Sequence, residues 1–157
     1  MDLLFLCVGN SARSILAEAL VNSRAEGRLR AYSAGSKPKG EVHPLALEVL
    51  RTCDIPSAGL RSKSWDEFAT DTAPHMDLVI TVCDPAAVEA CPLWPGAPVK
   101  VHWGLPDPAA VEGSDIERLA AFARTFTELE KRIDLMLGLP LEYLSTDELA
   151  GQLQAIR

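Results

Sequence analysis

The sequence has the length and composition of a single globular domain, which we expect to span residues 1–157. Hydrophobic residues make up 48% and charged residues 24% of the 17.0 kDa chain, which excludes a disordered tail, a fibrous repeat or a disulfide-stapled miniprotein. The formal net charge of -7 disfavours nucleic-acid binding, because an acidic surface repels phosphate backbones, so an anionic substrate would need a local pocket.

The first half of the chain alternates short apolar strands with amphipathic helices. The apolar run at residues 3–6 predicts a strand buried on both faces of a parallel sheet, and residues 14–26 predict a helix. Residues 31–34 predict a second strand. A second helix is expected to begin near Pro44, where proline suits the first helical turn, and to carry Cys53 on its apolar face.

The second half continues this alternation. Residues 78–82 are rich in β-branched side chains and predict a third strand, and residues 99–103 predict a fourth. Capping boxes at residues 114–117 and 145–148 predict the starts of a long helix and of a short terminal helix. The expected apolar stripe of the long helix consists of Ile116, Leu119, Phe122, Ala123, Phe126, Leu129, Ile133 and Met136.

Neither a membrane span nor a secretion signal is expected. No apolar run approaches the roughly 20 residues that cross a bilayer, and the amino terminus lacks a basic flank and a cleavage site. We therefore expect a cytoplasmic protein without membrane association, whose four cysteines, Cys7, Cys53, Cys83 and Cys91, are thiols at rest.

Two of these cysteines are expected at one edge of the sheet. Strands that alternate with helices imply crossover connections, and thus an α/β fold with a parallel sheet. Ligands of such sheets lie at the carboxyl ends of the strands. Cys7 follows the first predicted strand and Cys83 follows the third, so the sequence predicts that they lie near each other.

Between the first strand and the first helix lies a loop with the composition of an oxyanion-binding site. Gly9 and Asn10 tolerate the positive φ angles that turn successive N–H groups inward. Arg13 can offer its planar guanidinium to two oxygens of a tetrahedral anion. Such a cradle would lower the pKa of the Cys7 thiol and make it a nucleophile, with Ser14 as a donor to the thiolate. The candidate substrate-binding residues are Val8, Gly9, Asn10, Ser11, Ala12, Arg13 and Ser14.

Structural explanations of the same residues stay open. Cys7 could be a buried residue at a strand end and Arg13 a solvated residue at a helix start, since this spacing often occurs by chance. Cys83 and Cys91 could be core cysteines, which are common. The strand–loop–helix context favours the functional interpretation. Lys37 and Lys39 are expected to be solvated, with help in the approach of anions as the lesser alternative.

The loop resembles the catalytic loop of the low-molecular-weight protein tyrosine phosphatase fold, and the rest of the chain resembles its arsenate reductase branch, in particular the thioredoxin-coupled type. The resemblance lies in residues 7–14, 32–35, 81–84, 90–92 and 102–108, in that order. It implies a four-stranded parallel sheet of strand order 2-1-3-4 flanked by helices. We expect no cofactor, and no metal site, because the histidines do not combine with the cysteines at zinc-finger spacing.

The resemblance implies a cysteine relay. Cys7 would attack arsenate, and Cys83 would then attack Cys7, releasing arsenite and leaving a disulfide. Cys91 would take over that disulfide and present it to thioredoxin, with glutaredoxin and glutathione as the alternative reductant. Reduction of As(V) to As(III) takes two electrons, and oxidation of two thiols to one disulfide supplies two. Phosphate and sulfate are expected to compete with arsenate.

The spacing of Cys83 and Cys91 predicts a change of conformation on oxidation. Cysteine Cα atoms must come within about 7 Å to form a disulfide. Eight residue steps along a helix span roughly 12 Å. If residues 84–90 are helical in the reduced protein, this segment must therefore unwind or loop out on oxidation.

The resemblance also implies a general acid and a loop-holding pair. Asp107 lies between two prolines and would protonate the departing oxygen, although a turn aspartate is the alternative. Asn10 and Ser33 would hold the loop by side-chain hydrogen bonds. Ala109 and Ala110 stand where phosphatases carry aromatic residues, which argues against phosphotyrosine as the substrate.

Three functional hypotheses follow. The first is an arsenate reductase with Cys7, Arg13, Cys83, Cys91 and Asp107 as catalytic residues. The alternative is a low-molecular-weight protein tyrosine phosphatase that hydrolyses aryl phosphates while Cys83 and Cys91 stay idle. The third is a non-enzymatic protein that binds a trivalent metalloid through its cysteines, for which Arg13 and Asp107 would be superfluous.

Overall fold

A single parallel sheet forms the centre of the computed structural model, which describes residues 1–88 and 98–157. Its four strands lie in the order β2-β1-β3-β4, and every neighbouring pair is parallel. This confirms the predicted α/β fold and its strand order. The strands are β1 (Asp2–Cys7), β2 (Arg30–Gly35), β3 (Leu78–Thr81) and β4 (Val99–His102).

Helices connect and cover the strands. The two predicted capping boxes are present, because Ser114 and Ser145 each accept a hydrogen bond from the backbone N–H three residues later. Among the described residues, no helix is both long and apolar enough to cross a membrane. The helices are α1 (Arg13–Arg24), α2 (Pro44–Thr52), α3 (Asp84–Val88), α4 (Asp115–Leu137) and α5 (Thr146–Gln154), and 3-10 turns occur at Trp65–Phe68, Pro108–Ala110 and Leu141–Tyr143.

The sheet is buried on both faces, as the apolar β1 sequence predicts. Leu3 and Phe5 point into a large core that includes side chains of α1, α4 and α5. Leu4 and Leu6 point the opposite way, into a smaller cluster with Phe68. Because both faces are covered, small ligands can approach the sheet at the ends of its strands.

Three apolar residues do not take the buried positions that helical spacing predicts. Cys53 is exposed, because α2 ends at Thr52 and the chain then turns through Asp54 at a φ of 57°. Ile116 is 82% exposed because it lies on the first turn of α4. Ala123 is also exposed; the buried face of α4 includes Ala121 and Thr125 in its place.

Candidate active site

Two buried sulfurs meet at the carboxyl edge of the sheet. Cys7 is the last residue of β1, and Cys83 follows the adjacent strand β3 and immediately precedes α3. Both side chains are buried, and their thiol groups are in hydrogen-bond contact. The structure therefore brings together two of the three cysteines singled out from the sequence. The third, Cys91, lies outside the described residues.

Hydrogen bonds to its carbonyl oxygens hold the loop between β1 and α1 in place. The backbone N–H groups of Lys37, Lys39 and His43 donate to the carbonyl oxygens of Val8, Gly9 and Ser11 at 3.0, 3.0 and 2.9 Å. These donors all belong to the segment between β2 and α2. With the carbonyls engaged there, amide groups of the loop face the sulfurs: the Val8 N–H donates to Cys83 Sγ at 3.3 Å.

Asn10 fixes the turn of this loop. Its φ of 44° lies in the left-handed region, which asparagine tolerates better than most residues, as the sequence predicts. The buried side chain donates to Ser14 Oγ at 2.8 Å and accepts from the Lys63 N–H at 2.9 Å. Asn10 thus makes side-chain hydrogen bonds of the kind that the resemblance implies. Its implied companion, Ser33, accepts from Lys63 Nζ at 3.5 Å, so Lys63 contacts both residues.

A buried ion pair anchors the Lys63 segment, and sequence analysis missed it. Lys63 Nζ lies 3.7 Å from Glu18 Oε1, and the two side chains are 7% and 9% exposed. Burial raises the pKa of Glu18 and lowers that of Lys63, while the charge of each partner opposes the effect. Helical spacing puts Glu18 one turn after Ser14 on α1, but nothing in the sequence around Lys63 indicates burial.

A hydrogen bond between the two thiols moves their pKa values in opposite directions. The hydrogen bond from Cys7 lowers the pKa of Cys83 to about 6, aided by the backbone N–H groups of Ala86 and Val8 and by the charge of Arg13. The same hydrogen bond, together with burial, raises the pKa of Cys7. The sequence predicted a lowered pKa for Cys7, and this is wrong for the resting site. The start of α3 supplies an amide donor that favours the charge on Cys83.

Arg13 and Asp107 face each other across the site. Arg13 Nη1 donates to the Leu105 carbonyl oxygen at 2.8 Å, and Nη2 lies 3.9 Å from Asp107 Oδ2. Asp107 also caps a 3-10 turn by accepting from the Ala109 N–H at 3.0 Å. The Nε atom of Arg13 is buried and has no hydrogen-bond partner within the part of the chain that the structure describes. An orphaned donor of this kind favours binding of an acceptor.

These groups surround a cavity of about 210 Å³. It can hold a small anion with a sulfur on one side, a guanidinium on another and a carboxyl group at its mouth. Two lysines that the sequence predicted to be merely solvated also contribute to its wall. The lining residues are Cys7, Val8, Gly9, Ser11, Ala12, Arg13, Lys37, Lys39 and Asp107.

Comparisons with known proteins agree with this geometry. The family described as low molecular weight phosphotyrosine protein phosphatase matches residues 2–149. An arsenate reductase of Halalkalibacterium halodurans is 39% identical over 129 residues, which are 82% of this chain and 89% of the relative.

Solved structures extend the comparison to the fold. The arsenate reductase of Archaeoglobus fulgidus superposes with a TM-score of 0.68 at 28% identity, covering 87% of this chain and 99% of that one. A thioredoxin-dependent arsenate reductase of Corynebacterium glutamicum has a TM-score of 0.55 at 29% identity, covering 85% of this chain and 62% of that one. This chain therefore belongs to the low-molecular-weight phosphotyrosine protein phosphatase family and groups with its arsenate reductases.

Proposed function

We propose that this protein reduces arsenate to arsenite through a relay of cysteine thiols. The observation that carries the proposal is the contact between the Cys7 and Cys83 thiols beside the cavity that Arg13 lines. A phosphatase needs one sulfur at this place, whereas a two-electron reduction needs two sulfurs that can form a disulfide. The arsenate reductase names of the relatives support the same conclusion.

Binding of the oxyanion is the first step. The loop residues Val8 to Ser14 offer backbone N–H groups, and Arg13 offers its guanidinium. A buried donor without a partner costs about 1–3 kcal/mol, so an oxygen placed against Arg13 Nε would recover that free energy on binding. Phosphate and sulfate have the same tetrahedral shape, and we expect both to compete with arsenate.

Formation of a covalent adduct follows. The Cys7 sulfur attacks arsenic, a sulfur–arsenic bond forms and one arsenic–oxygen bond breaks. Asp107 carries the proton that Cys7 loses and, as general acid, gives it to the departing hydroxide, which leaves as water. Asp107 is suited to this because its carboxyl group is partly exposed at the mouth of the cavity, next to Arg13.

The redox step uses the second sulfur. The Cys83 thiolate attacks Cys7 Sγ, so that a disulfide forms and the sulfur–arsenic bond breaks with its electron pair going to arsenic. Arsenic is reduced from As(V) to As(III), the two thiols are oxidised, and arsenite takes up protons from water. The pKa of Cys83 near 6 favours this step, because the attacking group is already a thiolate at neutral pH.

Regeneration returns the site to its thiol form. Cys91 would attack Cys83, form the second disulfide and release Cys7 as a thiol, and thioredoxin would then reduce the Cys83–Cys91 disulfide. The thioredoxin-dependent name of the Corynebacterium glutamicum relative favours this reductant over glutaredoxin with glutathione. A cytoplasmic location, where thiols stay reduced, suits this cycle.

Arsenate-dependent NADPH consumption tests the proposal. The assay is run once with thioredoxin and its reductase, and once with glutaredoxin, glutathione and glutathione reductase. We expect turnover in the thioredoxin arm, its loss in Cys7→Ser and Cys83→Ser, and unchanged turnover in Cys53→Ser, whose thiol is exposed and outside the site. Absence of turnover in both arms, or full activity of Cys83→Ser, would contradict the relay.

Aryl phosphate hydrolysis is the second candidate, because the family match and the arrangement of Cys7, Arg13 and Asp107 fit it as well. It would pass through a cysteinyl phosphate and needs no second thiol. In Cys83→Ser, hydrolysis should therefore survive while arsenate reduction stops. If the wild-type protein hydrolyses aryl phosphates and never consumes NADPH with arsenate, the phosphatase is the correct assignment.

A further inference from the structure

Two lysines stand at the mouth of the oxyanion cavity, and no step of the proposed mechanism uses them. Lys37 and Lys39 line the same cavity as Cys7, Arg13 and Asp107. Both side chains are largely exposed, so their ammonium groups can adjust to a bound ligand. They come from the segment between β2 and α2, whose backbone N–H groups hold the loop between β1 and α1.

The backbone fixes where these lysines emerge. The Lys37 N–H donates to the Val8 carbonyl oxygen and the Lys39 N–H to the Gly9 carbonyl oxygen, both at 3.0 Å. The Lys39 side chain also lies across Gly9, since a Cβ at Gly9 would stand 3.2 Å from its Cε and 3.4 Å from its Cγ. Both lysines are therefore attached to the oxyanion loop itself and keep their places beside the cavity.

The charge of the cavity depends on this pair. Without the lysines, the charged side chains of the described lining would be Arg13 and Asp107, whose charges cancel. Lys37 and Lys39 give this lining an excess of two positive charges. This matters because the whole chain carries a net charge of -7.

We propose that Lys37 and Lys39 are specificity-determining residues that select doubly charged tetrahedral oxyanions over singly charged ones. The inference rests on the proposed function only in taking a tetrahedral oxyanion as the ligand. The Coulomb energy between a lysine and a ligand is proportional to the ligand charge, so each lysine contributes twice as much to binding a dianion. In contrast, the loop N–H groups bind the oxygens of either ligand by hydrogen bonds.

Calorimetric binding of sulfate and perchlorate to the reduced protein tests this selection, because the two ions are both tetrahedral and differ in charge. In the double variant Lys37→Gln/Lys39→Gln we expect the Kd for sulfate to rise about tenfold and the Kd for perchlorate only about threefold. Perchlorate has half the charge and loses half the Coulomb energy, so its fold-change is the square root of that for sulfate. Both factors should shrink at high ionic strength. The double variant Lys37→Arg/Lys39→Arg should keep wild-type selectivity.

Lys131→Gln is the matched control for the single variants Lys37→Gln and Lys39→Gln, because each of the three removes one positive charge. Lys131 lies on α4 next to Glu130, which pairs with the end of α1 opposite Arg13. Sulfate binding by this control should be unchanged. Equal weakening of both ions, or weakening no larger than in Lys131→Gln, would overturn the inference. The binding assay uses no arsenate, so the two proposals can fail separately. Charge-dependent binding by a protein that does not turn over arsenate would refute the proposed function alone. Arsenate turnover together with equal weakening of sulfate and perchlorate binding would refute the inference alone.

Discussion

Replacing Lys63 by methionine removes the cation from the buried pair with Glu18 and tests how the oxyanion loop is supported. Both side chains are less than a tenth exposed, so the variant leaves a carboxylate unpaired in the interior. Breaking such a pair costs about 3–5 kcal/mol of unfolding free energy. For a chain of this length we therefore expect the Tm to fall by about 6–20 °C. The loop should loosen as well, since the Lys63 N–H holds Asn10.

The pH dependence of this loss identifies its cause. Burial already raises the pKa of Glu18 in the folded protein, and removal of Lys63 raises it further. A carboxyl group whose folded pKa lies above its unfolded pKa supports folding when it is protonated. Its contribution is complete below the unfolded pKa and is lost as pH rises through the folded one. The deficit of Lys63→Met should therefore be small near about pH 4.5 and grow towards neutral pH by at most about 1.4 kcal/mol per pH unit.

Urea unfolding across this pH range, followed by circular dichroism, is the assay. The double variant Lys63→Met/Glu18→Met should recover most of the loss, because apolar side chains of similar volume replace the pair. Arg51→Met removes one partner of the exposed Arg51–Glu48 pair and should cost less than about 1 kcal/mol. A loss of unfolding free energy in Lys63→Met that is below about 1 kcal/mol at neutral pH, or that does not change with pH, would refute the reasoning.

Three further predictions concern the site. In Gly35→Ala, the new Cβ would collide with the Val8 carbonyl oxygen, so we expect a loss of about 1–3 kcal/mol in urea unfolding and weaker sulfate binding. An unchanged Kd for sulfate would contradict this. The ultraviolet absorbance of thiolates should show one thiolate appearing as pH rises through about 6. In Cys83→Ser, the pKa of Cys7 should fall below its wild-type value. Two thiolates at neutral pH in the wild type would be inconsistent with the opposite pKa shifts of the two thiols. Asp107→Asn should lower kcat for arsenate by about 10²–10⁴-fold without weakening sulfate binding, because the variant removes a negative charge from the cavity mouth, and an unchanged kcat would exclude Asp107 as the acid.

The architecture could be predicted because each element carries a local signal. The apolar β1 sequence indicates a strand covered on both faces, and the structure confirms this. The boxes at Ser114 and Ser145 mark helix starts through hydrogen bonds within one turn. The predicted burial of Ile116 was wrong, because helical spacing identifies the apolar face of a helix but not how far the core extends along that face.

The residues that line the cavity carry a signal in the sequence, whereas their electrostatics do not. The loop and its partners Arg13 and Asp107 are recognisable because type, spacing and context coincide along the chain. The opposite pKa shifts of Cys7 and Cys83 depend on contacts made across the fold, which local sequence patterns do not contain. The same holds for Lys63, whose burial follows from tertiary packing beside Glu18.

A single turnover without any reductant tests the central claim most directly, namely that Cys7 and Cys83 together supply both electrons. Fully reduced protein is mixed with arsenate, and released arsenite and remaining free thiols are counted per chain. We predict one arsenite and the loss of two thiols for the wild type, and no arsenite for Cys83→Ser. Arsenite released by Cys83→Ser, or arsenite formed by the wild type without loss of thiols, would contradict the account.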